Sequence, residues 1–160
     1  MVPKRLQDEL KKRDPFESAE QEALLNILRT SDQFQNLCGK LYREHGLTQS
    51  QYNVLRILRG EGKPMPCQEI SQRMIQAVPA MTGLLDRLES QDLVRRVRCE
   101  TDRRVIYIEP TPKALDLLAK LDEPMRQMYR KLLGHLSQPE LKVLSGLLEK
   151  ARFGTEPEPE

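Results

Sequence analysis

At 160 residues the chain is long enough for one domain with appendages, domains of about 100–150 residues being the commonest. With 38% hydrophobic and 31% charged residues and no Trp, it has no apolar run near the roughly 18 residues a membrane helix needs, which excludes a membrane-spanning protein. The formal net charge of +2 hides an uneven distribution: residues 93–104 hold five arginines against Glu100 and Asp102, and the last five residues alternate acid with proline.

The first eight residues turn charged and polar at once, so no secretory signal is expected and a cytoplasmic location is. Cys38, Cys67 and Cys99 are an odd number without a CxxC, and His45 and His135 lie far apart, so neither a disulfide framework nor a metal site is expected. Dinucleotide, phosphate-loop, serine-hydrolase and zinc-protease motifs are missing, and Gly60-Glu61-Gly62-Lys63-Pro64 reads as a turn because nothing strand-like precedes it. No cofactor and no enzymatic activity are expected.

In chain order, residues 1–17 read as a flexible N-terminal arm. Ser18-Ala19-Glu20-Gln21 has the form of a capping box, and apolar positions from Ala23 to Tyr42 recur at helical spacings, which predicts a long first helix from Ser18 to His45, ending near Gly46. Thr48-Gln49-Ser50-Gln51 predicts a second helix carrying Tyr52, Val54, Leu55, Ile57 and Leu58, stopped by Gly60, Gly62 and Pro64. A short third helix begins at Pro66 or Cys67, with Ile70 and Met74 as its apolar positions. After a turn at Ile75-Gln76-Ala77, a fourth carries Met81, Leu84, Leu85 and Leu88. The period then changes to two over residues 93–98 and again over 104–109, with a polar bridge from Cys99 to Asp102, the pattern of a two-stranded hairpin. Thr111 as N-cap and Pro112 at the first helical position open a fifth helix that continues to Leu136, with a kink expected at Pro124. Ser137-Gln138-Pro139-Glu140 caps a last helix to Phe153, and residues 154–160 read as a disordered acidic tail.

The fold class expected is mainly α with a small β-hairpin. A short helix, a tight turn, a second amphipathic helix and a basic hairpin, in that order, form the winged helix-turn-helix arrangement. In it the second helix enters the major groove of DNA and the hairpin reaches an adjacent minor groove. This domain is expected over residues 47–110.

The stretches Leu47-Thr48-Gln49-Ser50-Gln51-Tyr52-Asn53-Val54-Leu55, Met81-Thr82-Gly83-Leu84-Leu85-Asp86-Arg87-Leu88-Glu89, Leu93-Val94-Arg95-Arg96, Asp102-Arg103-Arg104 and Thr111-Pro112-Lys113 resemble the MarR (multiple antibiotic resistance regulator) family of transcriptional regulators. The resemblance spans residues 20–152. It implies a homodimer held by the helix over 18–46 and the helices over 111–153, acting as a repressor on a pseudo-palindromic operator in double-stranded DNA. It also implies a small aromatic or phenolic effector in a crevice near Tyr42, His45 and Tyr52, although each of these side chains alone could serve in packing. Two residues depart from the pattern. Ile75 stands where many helix-turn-helix proteins have glycine, and a β-branched residue resists positive φ, so a longer turn is expected. Asp92 stands where the family usually has glycine, a milder change because Asp visits the left-handed region.

The expected DNA-contacting residues are Gln76, Pro79, Ala80, Thr82, Gly83 and Arg87 at the turn and recognition helix. On the wing they are Arg96, Arg98, Arg103 and Arg104, with Arg103 in the minor groove and Asp102 orienting it. Arg96 and Arg98 share one strand face and Arg95 the other, so the three cannot touch the same phosphates and one face is left to ion-pair. Ala77, Pro79, Ala80 and Gly83 make the front of the recognition helix poor in base-reading side chains, which shifts readout towards thymine methyls and DNA shape. Two alternatives stay open. One is a helical protein-protein adaptor, against which a basic hairpin directly after a helix-turn-helix counts. The other is a thiol-based redox-sensing regulator of the same family, against which Cys38 counts, since it lies on the apolar stripe of the first helix as a small core residue.

Overall fold

The computed structural model describes residues 4–98 and 105–155. Its elements are α1 (Leu6–Glu9), α2 (Ala19–Glu44), α3 (Gln49–Glu61), β1 (Met65–Pro66), α4 (Cys67–Gln72), α5 (Met81–Ser90), β2 (Val94–Arg98), β3 (Ile106–Pro110), α6 (Pro112–Leu133) and α7 (Gln138–Phe153). The chain divides into two compact units, Met1–Leu115 and Asp116–Glu160.

In the first unit, local chemistry sets the helix ends. Ser18 Oγ accepts from the Gln21 amide at the start of α2, while the Gln21 side chain accepts from Glu17 N instead of closing a box on Ser18. The other end of α2 is a Schellman motif: Gly46, at φ 74°, donates to Arg43 O, and Leu47 N donates to Tyr42 O. α3 opens on a complete capping box, with Gln51 N donating to Thr48 Oγ1 and Thr48 N donating to Gln51 Oε1 at 2.8 Å. α5 closes on a second Schellman motif in which Asp92, at φ 58°, takes the left-handed position. Its amide donates to Glu89 O and that of Leu93 to Leu88 O. Thr111 Oγ1 then donates to Asp92 O at 2.8 Å and also caps α6 by accepting from Ala114 N, so one side chain joins the end of α5 to the start of α6.

The sheet has the order β1-β3-β2 and is antiparallel throughout, with Arg95 opposite Glu109, Arg96 opposite Ile108, and Met65 of β1 on the far side of Ile108. The two-stranded hairpin expected from the sequence is therefore extended by a third strand, which at two residues, one of them proline, is too short to show a period. Leu55, Leu58, Met65, Ile70, Leu85, Leu88, Val94 and Ile108 are fully or almost fully buried and form the core that fixes α3, α4, α5 and the sheet. Each such side chain contributes about 1.5–3 kcal/mol. The arm expected to be flexible contains α1, whose Leu6 is buried and whose Glu9 ion-pairs Arg29 of α2 at 3.6 Å. Leu6 and Leu10 stand four residues apart in a charged run, one pair at helical spacing and too short to register as an amphipathic pattern.

α6 starts in the first unit and continues into the second, staying helical across Pro124. α7 begins with a capping box between Ser137 and Glu140, and buries none of its residues. The hairpin tip with Cys99, Asp102, Arg103 and Arg104, and the acidic residues 156–160, lie outside the described residues.

Candidate nucleic-acid interface

α5 buries Met81, Leu84, Leu85 and Leu88 and leaves Thr82, Asp86, Arg87, Glu89 and Ser90 exposed, with Gly83 half-buried. The helix is anchored on one face and free on the other, as a recognition helix must be. The turn before it runs for eight residues, Arg73 to Ala80, longer than the usual 3–4. Among the described residues the only non-glycine positive φ values are at Lys11 and Asp92, so the added length lets the chain turn at Ile75 without a left-handed residue. Ile75, Gln76, Ala77, Pro79 and Ala80 are all exposed.

The sequence pattern places Arg96 among the DNA contacts, and in the structure its guanidinium is ion-paired within the chain. Its Nη2 lies 2.5 Å from Asp86 Oδ1, its Nη1 pairs with Glu89, and its backbone amide donates to Glu89 Oε1 at 3.3 Å. The guanidinium, 27% exposed, ties β2 to α5 and offsets the charge of two carboxylates on the outer face of that helix. Its hydrogen bond to Asp86, then that to Glu89, pushes its pKa above the ordinary arginine value. On the opposite strand face Arg95 pairs with Glu109. Arg73 binds Glu61 at 2.6 Å and also Glu69, fixing the end of α4 to the end of α3, and holds the Glu61 carboxyl below its usual range, with Lys63 as the smaller contributor. Of the expected DNA set, Gln76, Thr82, Arg87 and Arg98 are exposed with hydrogen-bonding side chains, and Pro79, Ala80 and Gly83 supply only apolar or small surface.

The three residues expected in an effector crevice are arranged for packing. The Tyr42 and Tyr52 rings stack with centroids 4.4 Å apart and both are buried, and His45 Nδ1 lies 3.0 Å from Leu41 O. A cavity of about 530 Å³ is lined by Arg43, Leu47, Thr48, Gln51, Arg87 and Gln91, with Gln51 Nε2 donating to Gln91 Oε1 at 3.1 Å on its wall. Sequence reasoning misses Arg43, Gln51 and Gln91 here, since nothing in their spacing announces that the end of α2, the start of α3 and the end of α5 converge. Burial pushes the Cys38 thiol up, the opposite of what a thiolate sensor needs. No cluster of three metal-ligating side chains occurs among the described residues.

Residues 47–106, from the Schellman end of α2 to the start of β3, match the model of the MarR family. The chain is 28% identical over 110 residues to the homoprotocatechuate degradative operon repressor of Escherichia coli, covering 69% of this chain and 74% of that protein. It is 38% identical to a MarR transcription factor from Planctomyces limnophilus, with a TM-score of 0.65 over 84% of this chain and 98% of that one. It also shares its fold, at 22% identity and a TM-score of 0.74 over 86% and 97% of the two chains, with Bordetella bronchiseptica BpsR, whose structure concerns regulation of its DNA binding by 6-hydroxynicotinic acid. With an anchored recognition helix followed by a clamped basic wing, and relatives of this similarity, the chain belongs to the MarR family of DNA-binding transcriptional regulators.

Proposed function

We propose that the protein is a homodimeric repressor that reads a pseudo-palindromic operator and leaves it when a small aromatic anion binds. The observation that carries the reading is the recognition helix itself, held by Arg96 against the wing with Thr82 and Arg87 facing outward and Arg98 exposed on β2. Arg103 would enter the minor groove, oriented by Asp102, because a narrow groove concentrates negative potential. Dimerisation is supported by apolar faces that one chain leaves open: Leu24 and Leu28 of α2 are each 56% exposed, and Leu147 of α7 is 61% exposed. Contiguous apolar surface of several hundred Å² marks an interface.

The cavity beside Arg43 and Arg87 supports the effector. Neither guanidinium has an ion-pair partner among the described residues, so a carboxylate or phenolate would find two cations there, one of them on the recognition helix. A hundredfold loss of DNA affinity requires the ligand to favour the released state by about 2.7 kcal/mol, and linkage makes DNA weaken the ligand equally.

Genomic fragments captured by the full-length protein, then titrated with 6-hydroxynicotinic acid and a panel of phenolic acids, test the reading. Retention of discrete fragments, weakened by at least one compound, supports it. Failure to retain any duplex at moderate salt refutes DNA binding, whereas retention that no compound alters refutes ligand control alone.

A further inference from the structure

The eight-residue turn places one side chain in a position that packing does not explain. Ile75 is 77% exposed, more than any other large apolar side chain among the described residues. It lies in the first unit, away in sequence from the open apolar faces of α2 and α7. Its exposed neighbours Ala77, Pro79 and Ala80 carry no donor or acceptor on their side chains, so the surface leading into α5 offers methyl and methylene groups, one amide at Gln76 and one hydroxyl at Thr82.

Arg87 lies further along α5, and two other arginines of this region are engaged in ion pairs. Arg73, two residues earlier, is held by Glu61 and Glu69, and Arg96 is held by Asp86 and Glu89. Turn and first-turn residues of a recognition helix sit over base edges when the helix enters the major groove. The floor of that groove presents one apolar group, the C5-methyl of thymine, and all its other edge features call for hydrogen bonding. A single isoleucine with three small neighbours is too little for a protein interface, but it matches the size of a methyl contact.

We propose that Ile75 is a specificity-determining residue that reads the C5-methyl of one thymine in each half-site. This rests on the DNA-binding reading above. Burying a group of this size contributes about 0.8 kcal/mol, or about fourfold in affinity per half-site. The surface reads the methyl rather than the base pair, so it does not distinguish thymine from 5-methylcytosine by that contact.

The test starts with selection of sites from a random duplex library by the full-length protein. Deoxyuridine is then placed at each thymine of the selected site in turn, and 5-methylcytosine is compared with cytosine at the sensitive position. One thymine per half-site should lose about fourfold on conversion to deoxyuridine, and 5-methylcytosine should bind better than cytosine there by a similar factor. Ile75→Ala should bring both ratios to about one while binding the deoxyuridine duplex as the unaltered protein does. These ratios are measured on one protein at a time and are insensitive to its folded fraction. Equal binding of thymine and deoxyuridine duplexes at every position, or an unchanged ratio in Ile75→Ala, overturns the proposal and leaves DNA binding standing. A higher-order assembly that Ile75→Ala disperses overturns it in favour of a protein contact. Failure to enrich any site overturns both this proposal and the reading on which it rests.

Discussion

Replacing Arg96 by methionine separates a residue that touches DNA from one that holds the helix that touches DNA. In the free protein two partly exposed ion pairs are broken, to Asp86 and Glu89. At about 0.2–1 kcal/mol each, Arg96→Met should destabilise by about 1 kcal/mol and lower Tm by about 2–4 °C. In the complex the larger effect is electrostatic, because the two carboxylates are left uncompensated on the recognition helix. A carboxylate about 10 Å from a phosphate repels it by about 0.4 kcal/mol in water, so two per helix over two half-sites give on the order of 1.5 kcal/mol before screening, or about tenfold in affinity at low salt. The triple variant Asp86→Asn, Glu89→Gln, Arg96→Met removes the same cation together with the charges it compensates, and should bind within about twofold of the unaltered protein. Fluorescence anisotropy on a selected duplex across a salt series reads both effects. If Arg96 contacted phosphate, the triple variant would stay weak and the salt slope would fall by about 0.9 for each phosphate no longer neutralised. That result would refute the role given to Arg96.

Three further outcomes are expected. Leu147→Glu, which places a charge on the open face of α7, should convert the protein to a monomer in sedimentation and abolish operator binding, and a stable dimer in the variant would move the interface elsewhere. Asp92→Gly relieves a left-handed residue at the C-terminal cap of α5 and should raise Tm, with a gain of up to about 1 kcal/mol; a fall in Tm would mean that the Asp side chain contributes a stabilising interaction of its own. Cys38, its thiol pushed above the ordinary cysteine value by burial, should alkylate more slowly than a cysteine peptide at pH 7.5 and keep speeding up at a pH where the peptide's rate has levelled off. Faster labelling than the peptide would revive the thiol-sensor reading.

Elements with a local chemical signature are legible in the sequence. Thr48 and Gln51, Ser137 and Glu140, and Thr111 before Pro112 mark helix starts because capping uses side chains three residues apart. The longer turn at Ile75 follows from the reluctance of a β-branched residue to take positive φ, and Asp92 does occupy the left-handed position that usually calls for glycine. What escapes depends on long-range pairing. β1 is recognised only through its register with β3. The partners of Arg96 come from α5, seven and ten residues back on another element, so strand alternation leaves one arginine face to ion-pair, whereas Arg95 and Arg96, on opposite faces, both do. Tyr42 and Tyr52 flank the junction of α2 and α3, where their stacked rings bury each other, and an open pocket lined by Arg43 and Arg87 lies at the same start of α3, which no spacing in the sequence announces.

Hydroxyl-radical footprinting of the protein on a fragment selected from genomic DNA tests the central claim most directly. A winged helix-turn-helix homodimer should protect two symmetric half-sites whose major-groove centres lie about 10–10.5 base pairs apart, with two chains bound per duplex. A single asymmetric footprint with one chain bound, or no protection at protein concentrations that saturate gel-shift binding, would contradict it.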